Sequence, residues 1–284
     1  MRLRVSLTDS KTLHGMIQSV GKVANKCIIR FSQSTFDIIV TGADAPEGVQ
    51  IWSQVMTNAL FKPDVLRIES NFNDQINLEV ATETFLHALK SSINAVDVII
   101  RLAKRDRDPL LNFTIGNSTV NGARLEISQE VLIRVLRPAE ISRIREPECP
   151  VPDACIYLPR LHKIRRVAER MQPLSDTITV SANRAHELKL SIEKDEVKIE
   201  TTWRDLDHPD LEIMTQARHG RVESEYRSVR LDMKSFMRFL SSSVVETKSI
   251  TSICENHCAI FYVYIGEEDS GSGVMTFFLP AVEV

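Results

Sequence analysis

Apolar residues recur at every second position in short runs along most of the chain. Arg2 to Leu7 alternates, as do Ile28–Phe31, Phe36–Val40, Val49–Val55, Ile76–Val80, Val98–Leu102 and Leu111–Ile115. The second half repeats the habit at Ile178–Val180, Leu188–Ile192, Val197–Thr201, Val229–Leu231, Ile260–Val263 and Phe277–Leu279. Short runs bounded by Asn, Gly, Asp or Ser predict antiparallel strands joined as meanders. Four stretches carry a helical period instead. The first runs from about Ser10 to Asn25, with Leu13, Met16, Ile17, Val20, Val23 and Ala24 on one face. The second, about Glu83 to Asn94, has Thr82 as its expected N-cap and Phe85, Leu86, Leu89 and Ile93 inward. The third, about Arg160 to Gln172, carries Leu161, Ile164, Ala168 and Met171; the fourth, about Met233 to Ser242, has Asp232 as N-cap and Phe236, Met237, Phe239 and Leu240 inward. Four helices among many strands predict an α+β fold, not alternating βαβ units.

Near the midpoint lies Arg137-Pro138-Ala139-Glu140-Ile141-Ser142-Arg143-Ile144-Arg145-Glu146-Pro147-Glu148-Cys149-Pro150-Val151-Pro152. Its four prolines exclude a helix or a central strand, so it is expected to be an extended connector. The halves on either side align. Leu13-His14 falls on Leu161-His162, Ile17 and Val20 fall on Ile164 and Val167, and Phe85 to Leu89 falls on Phe236 to Leu240. The order of elements is the same in both, which predicts an internal duplication. The expected division is residues 1–136, a connector at 137–152, and residues 153–284.

Charge adds a second asymmetry. Lysine and arginine number 35 against 38 acidic residues, a net charge of −3. Yet the four helical stretches (Asp9–Lys26, Thr82–Ala95, Pro159–Gln172 and Asp232–Ser243) hold eleven basic and four acidic residues, net +7. The remaining 24 basic and 34 acidic residues give −10. At 100° per residue, Lys163, Arg166 and Arg170 cluster away from the apolar stripe of the third helix. Lys11, Lys22 and Lys26 oppose the stripe of the first, and Lys234 and Arg238 that of the fourth, while Lys90 is the single basic residue of the second. A chain of negative sign that gathers cations on four helix faces is suited to phosphate contact. No aromatic residues interleave with these cations, so base stacking on single strands is not expected. Nor is there a recognition-helix pattern aimed at base edges. The expected ligand is a duplex backbone, bound without regard to sequence.

Catalytic chemistry finds little support. Gly15 to Val23 resembles a phosphate-binding loop only superficially, with five residues between its glycines and Val23 where Ser or Thr is needed. Cys254-Glu255-Asn256-His257-Cys258 is a partial zinc pattern without a second ligand pair, and no metal is expected. Asp205, Asp207, His208 and Asp210 form the best carboxylate cluster, the basis of an alternative reading as a metal-dependent nuclease, but they sit beside Pro209 in a loop-like stretch. Five irregularly spaced cysteines fit reduced thiols in the nucleus or cytosol. No apolar run approaches the roughly 18 residues of a membrane span, and the N-terminus is not expected to be a signal peptide.

The stretch Glu146 to Pro159, followed by Leu161, Ile164, Val167 and Glu169-Arg170-Met171, resembles the Hus-one/Mec-three family of sliding DNA clamp subunits. So do Thr201-Thr202-Trp203-Arg204-Asp205-Leu206-Asp207-His208-Pro209 and the ending Phe277-Phe278-Leu279-Pro280-Ala281. The resemblance implies two similar domains, each with two helices on the inner face of a ring and antiparallel sheets outside. It implies a non-catalytic, cofactor-free nuclear subunit of the heterotrimeric nine-one-one checkpoint clamp. Its partners would be Rad-nine-like and Rad-one-like subunits, an ATP-driven clamp loader, double-stranded DNA and repair enzymes. A homotrimeric replication clamp is the alternative within the fold. Ring closure would use edge strands, for which the segments carrying Leu111, Phe113 and Ile115 and carrying Ile178 and Val180 are the expected pair. A client-peptide groove under the connector would be lined by Ile51, Ile141, Ile144, Leu279 and Pro280.

Overall fold

In the computed structural model, which describes residues 1–41, 48–118, 124–194, 197–209, 224–242, 248–266 and 273–282, the first helix, α1 (Ser10–Gly21), follows strand β1 (Arg2–Ser6). Asp9 caps it, accepting from the Thr12 amide at 2.9 Å. Leu13, Met16, Ile17 and Val20 are fully buried, which is what anchors so short a helix. Helix α1 ends four residues earlier than its apolar period predicts. The carbonyls of Ala24 and Asn25 are taken up by Thr82, through its hydroxyl at 3.0 Å and its amide at 2.9 Å. Thr82 is therefore the first residue of α3 (Thr82–Ser92) and not its N-cap, a place held by Ala81.

Between them lie β2 (Lys26–Phe31), β3 (Thr35–Val40), β4 (Gln50–Met56), a single turn α2 (Thr57–Leu60), β5 (Arg67–Glu69) and β6 (Ile76–Ala81). After α3 come β7 (Asp97–Arg105), β8 (Asp108–Ser118) and β9 (Arg124–Val135). The connector follows, and then the order strand, helix, three strands recurs twice. Strand β10 (Ala154–Tyr157) and helix α5 (Leu161–Met171) precede β11 (Thr177–Ala182), β12 (Leu188–Lys194) and β13 (Val197–Trp203). Strand β14 (Arg227–Asp232) and helix α6 (Met233–Ser241) precede β15 (Ser249–Cys254), β16 (Cys258–Ile265) and β17 (Gly273–Pro280). Asp232 caps α6 as expected, accepting from the Ser235 amide at 2.7 Å. Helix α1 packs beside α3, and α5 beside α6. Phe236 and Phe239 of α6 meet Phe261 of β16, and Phe239 also meets Phe277 of β17, with ring centroids 4.2–6.2 Å apart across this group.

Every ladder among the described residues is antiparallel. Thirteen strands form one sheet in the order β10-β15-β16-β17-β4-β3-β2-β6-β9-β8-β7-β1-β5, and four form a second, β13-β12-β11-β14. The larger sheet crosses the midpoint of the chain, because β17 pairs with β4, Phe277 opposite Ile51.

Four expectations are corrected here. The connector is not free of helix: Pro138–Ile141 forms a single turn, α4. Pro138 stands at its first position, where its fixed φ fits and no amide donor is needed. Strand β8 is flanked by β7 and β9, and β11 by β12 and β14. Leu111, Phe113, Ile115, Ile178 and Val180 are core residues, so neither strand offers an open edge. Ile51 and Leu279 are likewise buried in the main core, so their side chains are not on a surface that a client peptide can reach, and Pro280 is exposed at the end of β17. Ile141 and Ile144 rest on Ile28, Ile39 and Leu136 beside Trp52, fastening the connector to the sheet. Finally, Lys26 begins β2 instead of ending a helix, and its ammonium lies 3.5 Å from Glu79.

Candidate nucleic-acid interface

Many cations on or beside the sheets are paired: Arg2 and Arg67 with Glu69, Arg30 with Asp37, Lys62 with Asp97, Arg105 with Glu130. Arg4, Arg101, Lys104 and Arg230 are strand cations outside the ion pairs found among the described residues. In the second half Lys189 and Lys198 pair with Glu200, Arg204 with Glu187, and Arg227 with Glu225 and Glu255. Arg134 of β9 bridges Glu79 of β6 and Glu140 of α4. Its guanidinium holds Glu79 below the usual carboxylate range. The Arg137 amide, which donates to Glu140 at 2.8 Å, holds that carboxyl low as well, with Arg134 assisting. Lys26 joins this network through Glu79, and it stands on a strand, not on the helix face where its spacing placed it.

On the four long helices such pairing is rare. Lys11 of α1 and Lys22 just past it, Lys90 of α3, Lys163, Arg166 and Arg170 of α5, and Lys234 of α6 are all exposed, and none is engaged in an ion pair among the described residues. Arg238 of α6 is half-buried. Among the described residues the one ion pair within these helices is Arg165–Glu169, an i,i+4 contact at 2.8 Å that leaves the rest of α5 cationic. Each helix buries its apolar stripe: Leu161, Ile164, Ala168 and Met171 on α5, and Met233, Phe236, Phe239 and Leu240 on α6. The cations are thus fixed on the side away from the core by the same periodicity that builds it. Lys90 and Arg170 lie in the last turns of their helices, where the carbonyl ends favour positive charge.

His14 reports how close α1 and α3 lie. Burial first, and then the charge of Lys90, hold its imidazole below the ordinary value, so the ring is neutral at pH 7. Removing the charge in Lys90→Ala is expected to raise the His14 titration midpoint, as followed by NMR of the ring protons. An unmoved midpoint would mean that the two helices do not share this face.

The remaining sequence candidates do not assemble into a catalytic site. Asp205 adopts a left-handed φ of 58°, and the Asp207 carbonyl accepts from the Tyr157 amide at 2.9 Å. His208 Nδ1 lies 2.7 Å from the Cys155 carbonyl, and its ring packs on His186 with centroids 4.5 Å apart. These contacts pin the segment to its neighbours, and Asp210 lies outside the described residues. What sequence reasoning did not find is the open side of two particular strands. Among the described residues strand β13 pairs only with β12. Strand β9 pairs with β8 along Arg124–Leu132 but meets β6 only through Ile133–Val135, leaving the rest of that side uncovered by a strand. Large apolar residues stand exposed on both: Leu125 at 48% and Leu132 at 55% on β9, Val197 at 49% on β13.

The fold is that of the sliding clamps. The crystal structure of Proliferating Cellular Nuclear Antigen from Entamoeba histolytica superposes with a TM-score of 0.70 at 15% identity, covering 99% of each chain. PCNA from Thermococcus kodakaraensis gives 0.67 at 12% identity, covering 98% of this chain and 99% of that one. In sequence, checkpoint protein hus1 of Schizosaccharomyces pombe is 32% identical over 98% of both chains. Checkpoint protein HUS1 of Homo sapiens is 27% identical over 99% of this chain and 100% of its own, and the Dictyostelium discoideum homologue 23% over 99% of each. The profile described as Hus1-like protein matches residues 1–283, and on that match, the hus1 relatives and the clamp architecture together, the chain belongs to the Hus1-like protein family.

Proposed function

We propose that this chain is a non-catalytic subunit of a heterotrimeric checkpoint clamp that encircles duplex DNA at damage sites in the nucleus. In that role it supports checkpoint kinase activation and recruits repair enzymes. Its partners are Rad-nine-like and Rad-one-like subunits, placed on DNA by an ATP-driven clamp loader. Residues 1–136 and 153–284 act as the two clamp domains, joined by the connector at 137–152. The observation that carries the reading is the gathering of seven exposed cations, none in an ion pair among the described residues, on the helix faces away from the core, in a chain whose net charge is −3. Lone exposed cations contribute little to folding, so seven of them gathered on the outer faces of four helices serve something outside the chain.

The ring joints follow from the repeat. Within the chain, the last strand of the second half, β17, pairs with the fourth strand of the first half, β4. The equivalent strands are β9, last of the first half, and β13, fourth of the second: β13 ends its sheet, and β9 is covered by β6 only at Ile133–Val135. A neighbour's β13-like strand adds to β9, and a neighbour's β9-like strand adds to β13, by main-chain pairing.

Encirclement has a topological signature. Loaded with its partners on a closed circular duplex, the ring is expected to survive a high-salt wash and to be lost once the circle is cut. Equal loss from cut and uncut circles overturns the reading.

A further inference from the structure

The fold brings one more set of side chains together, and the clamp function does not use it. Cys149, in the connector, lies against the hairpin of β15 and β16, 109 residues away in sequence. Its sulfur is 3.6 Å from that of Cys258, and His257 Nδ1 is 3.2 Å from the same Cys258 sulfur. The three ligand atoms all lie within 4.8 Å of one another. Cys254, directly opposite Cys258 in the ladder, is fully buried, and its thiol donates to the Pro150 carbonyl at 3.5 Å. The surroundings are apolar: Ile260, Phe278, Trp52 and Tyr262.

We propose that Cys149, Cys254, His257 and Cys258 form a structural zinc site that clips the connector to the second half of the chain. For zinc–sulfur bonds of about 2.3 Å, a tetrahedron sets its sulfurs about 3.8 Å apart, close to the Cys149–Cys258 spacing already present. Cys254 completes the set by turning its sulfur from the Pro150 carbonyl toward the metal. Three thiols and one imidazole make a closed Cys₃His site, the type used for holding structure. Each thiol gives its proton to solvent as its sulfur binds, so zinc uptake releases protons and strengthens as pH rises. Sequence alone does not disclose the site, because the pattern Cys254 to Cys258 lacks a partner until the connector folds back over it. The metal-free expectation rested on that missing ligand. The clip complements the apolar fastening at Ile141 and Ile144, so that both ends of the connector are held and Arg145–Glu148 spans the interval.

The test uses the reduced full-length chain, purified without added metal, then given zinc and desalted. Mass-spectrometric metal analysis is expected to find one zinc per chain, lost in Cys149→Ser and in His257→Gln but kept in His162→Gln. Cobalt substituted for zinc should give a thiolate-to-metal charge-transfer band that disappears with Cys258→Ser. Trypsin cleavage after Arg145 should slow roughly tenfold when zinc is present at ten times its dissociation constant. Circular dichroism confirms that each variant is folded. Three results overturn the proposal: no retained zinc with thiols reduced, retention indifferent to Cys149→Ser and His257→Gln, or a metal-free chain in which Cys149 and Cys258 form a disulfide.

Discussion

Replacing Lys163, Arg166 and Arg170 together by Glu is expected to cripple DNA binding by the assembled ring while leaving assembly intact. All three side chains are exposed on α5 and none is in an ion pair among the described residues, so folding loses little by their replacement, the main cost being the charge of Arg170 at the carbonyl end of the helix. Each phosphate contact contributes about 0.9 to the slope of log affinity against log salt, so three lost contacts flatten the slope by about 2.7. At 0.1 M salt the same release amounts to on the order of 10²-fold in affinity, and the added carboxylates repel phosphate further. Equilibrium binding to a duplex across a salt series reads both quantities. An unchanged slope with an intact ring would remove α5 from the DNA-facing surface. Arg165→Glu alone is the internal contrast: Arg165 is already neutralised by Glu169, and its loss should matter least.

The second large effect lies at the open edges. Leu132→Asp on β9 and Val197→Asp on β13 each place a charge at an exposed apolar position beside a ladder that the chain itself leaves unfilled. Neither residue is buried in the chain, so the melting temperature should stay put. Each joint is expected to weaken by about 2–3 kcal/mol, roughly 30- to 150-fold, the loss typical of a central apolar contact. Analytical ultracentrifugation with the partner subunits measures it, and full assembly of both variants at sub-micromolar concentration would refute the assignment. The same instrument separates the two ring types. The wild-type chain by itself should sediment as a monomer, and a self-trimer at micromolar concentration would point to a homotrimer.

The helices and their charge were legible because both are local. A stripe such as Leu161, Ile164, Ala168 and Met171 fixes which side of α5 is buried, and the cations opposite follow. Errors began where distant partners decide. Lys26 has the spacing of α1, but Thr82 takes the carbonyls that would continue the helix. Strand β9 escaped because Ser128-Gln129-Glu130 interrupts its alternation, and that polar run borders the side no strand covers. Leu111, Phe113 and Ile115 were misplaced for the opposite reason. Their strong alternation signals burial between neighbours, and an edge strand is recognised only from the pairing it lacks. The cysteine cluster shows the limit most plainly, since Cys149 acquires its meaning from a turn more than a hundred residues away.

The ladder between β17 and β4 has a mechanical consequence. Flexing the molecule at its middle means shearing hydrogen bonds from Phe278 opposite Gln50 to Gly273 opposite Val55, together with the side chains packed beneath them. The polypeptide is thus a stiff arc with no soft hinge where its two halves meet, and it should melt in one transition. Threading a closed loop of such arcs onto DNA therefore demands that a seam between separate chains give way, since the strain of opening has nowhere else to collect.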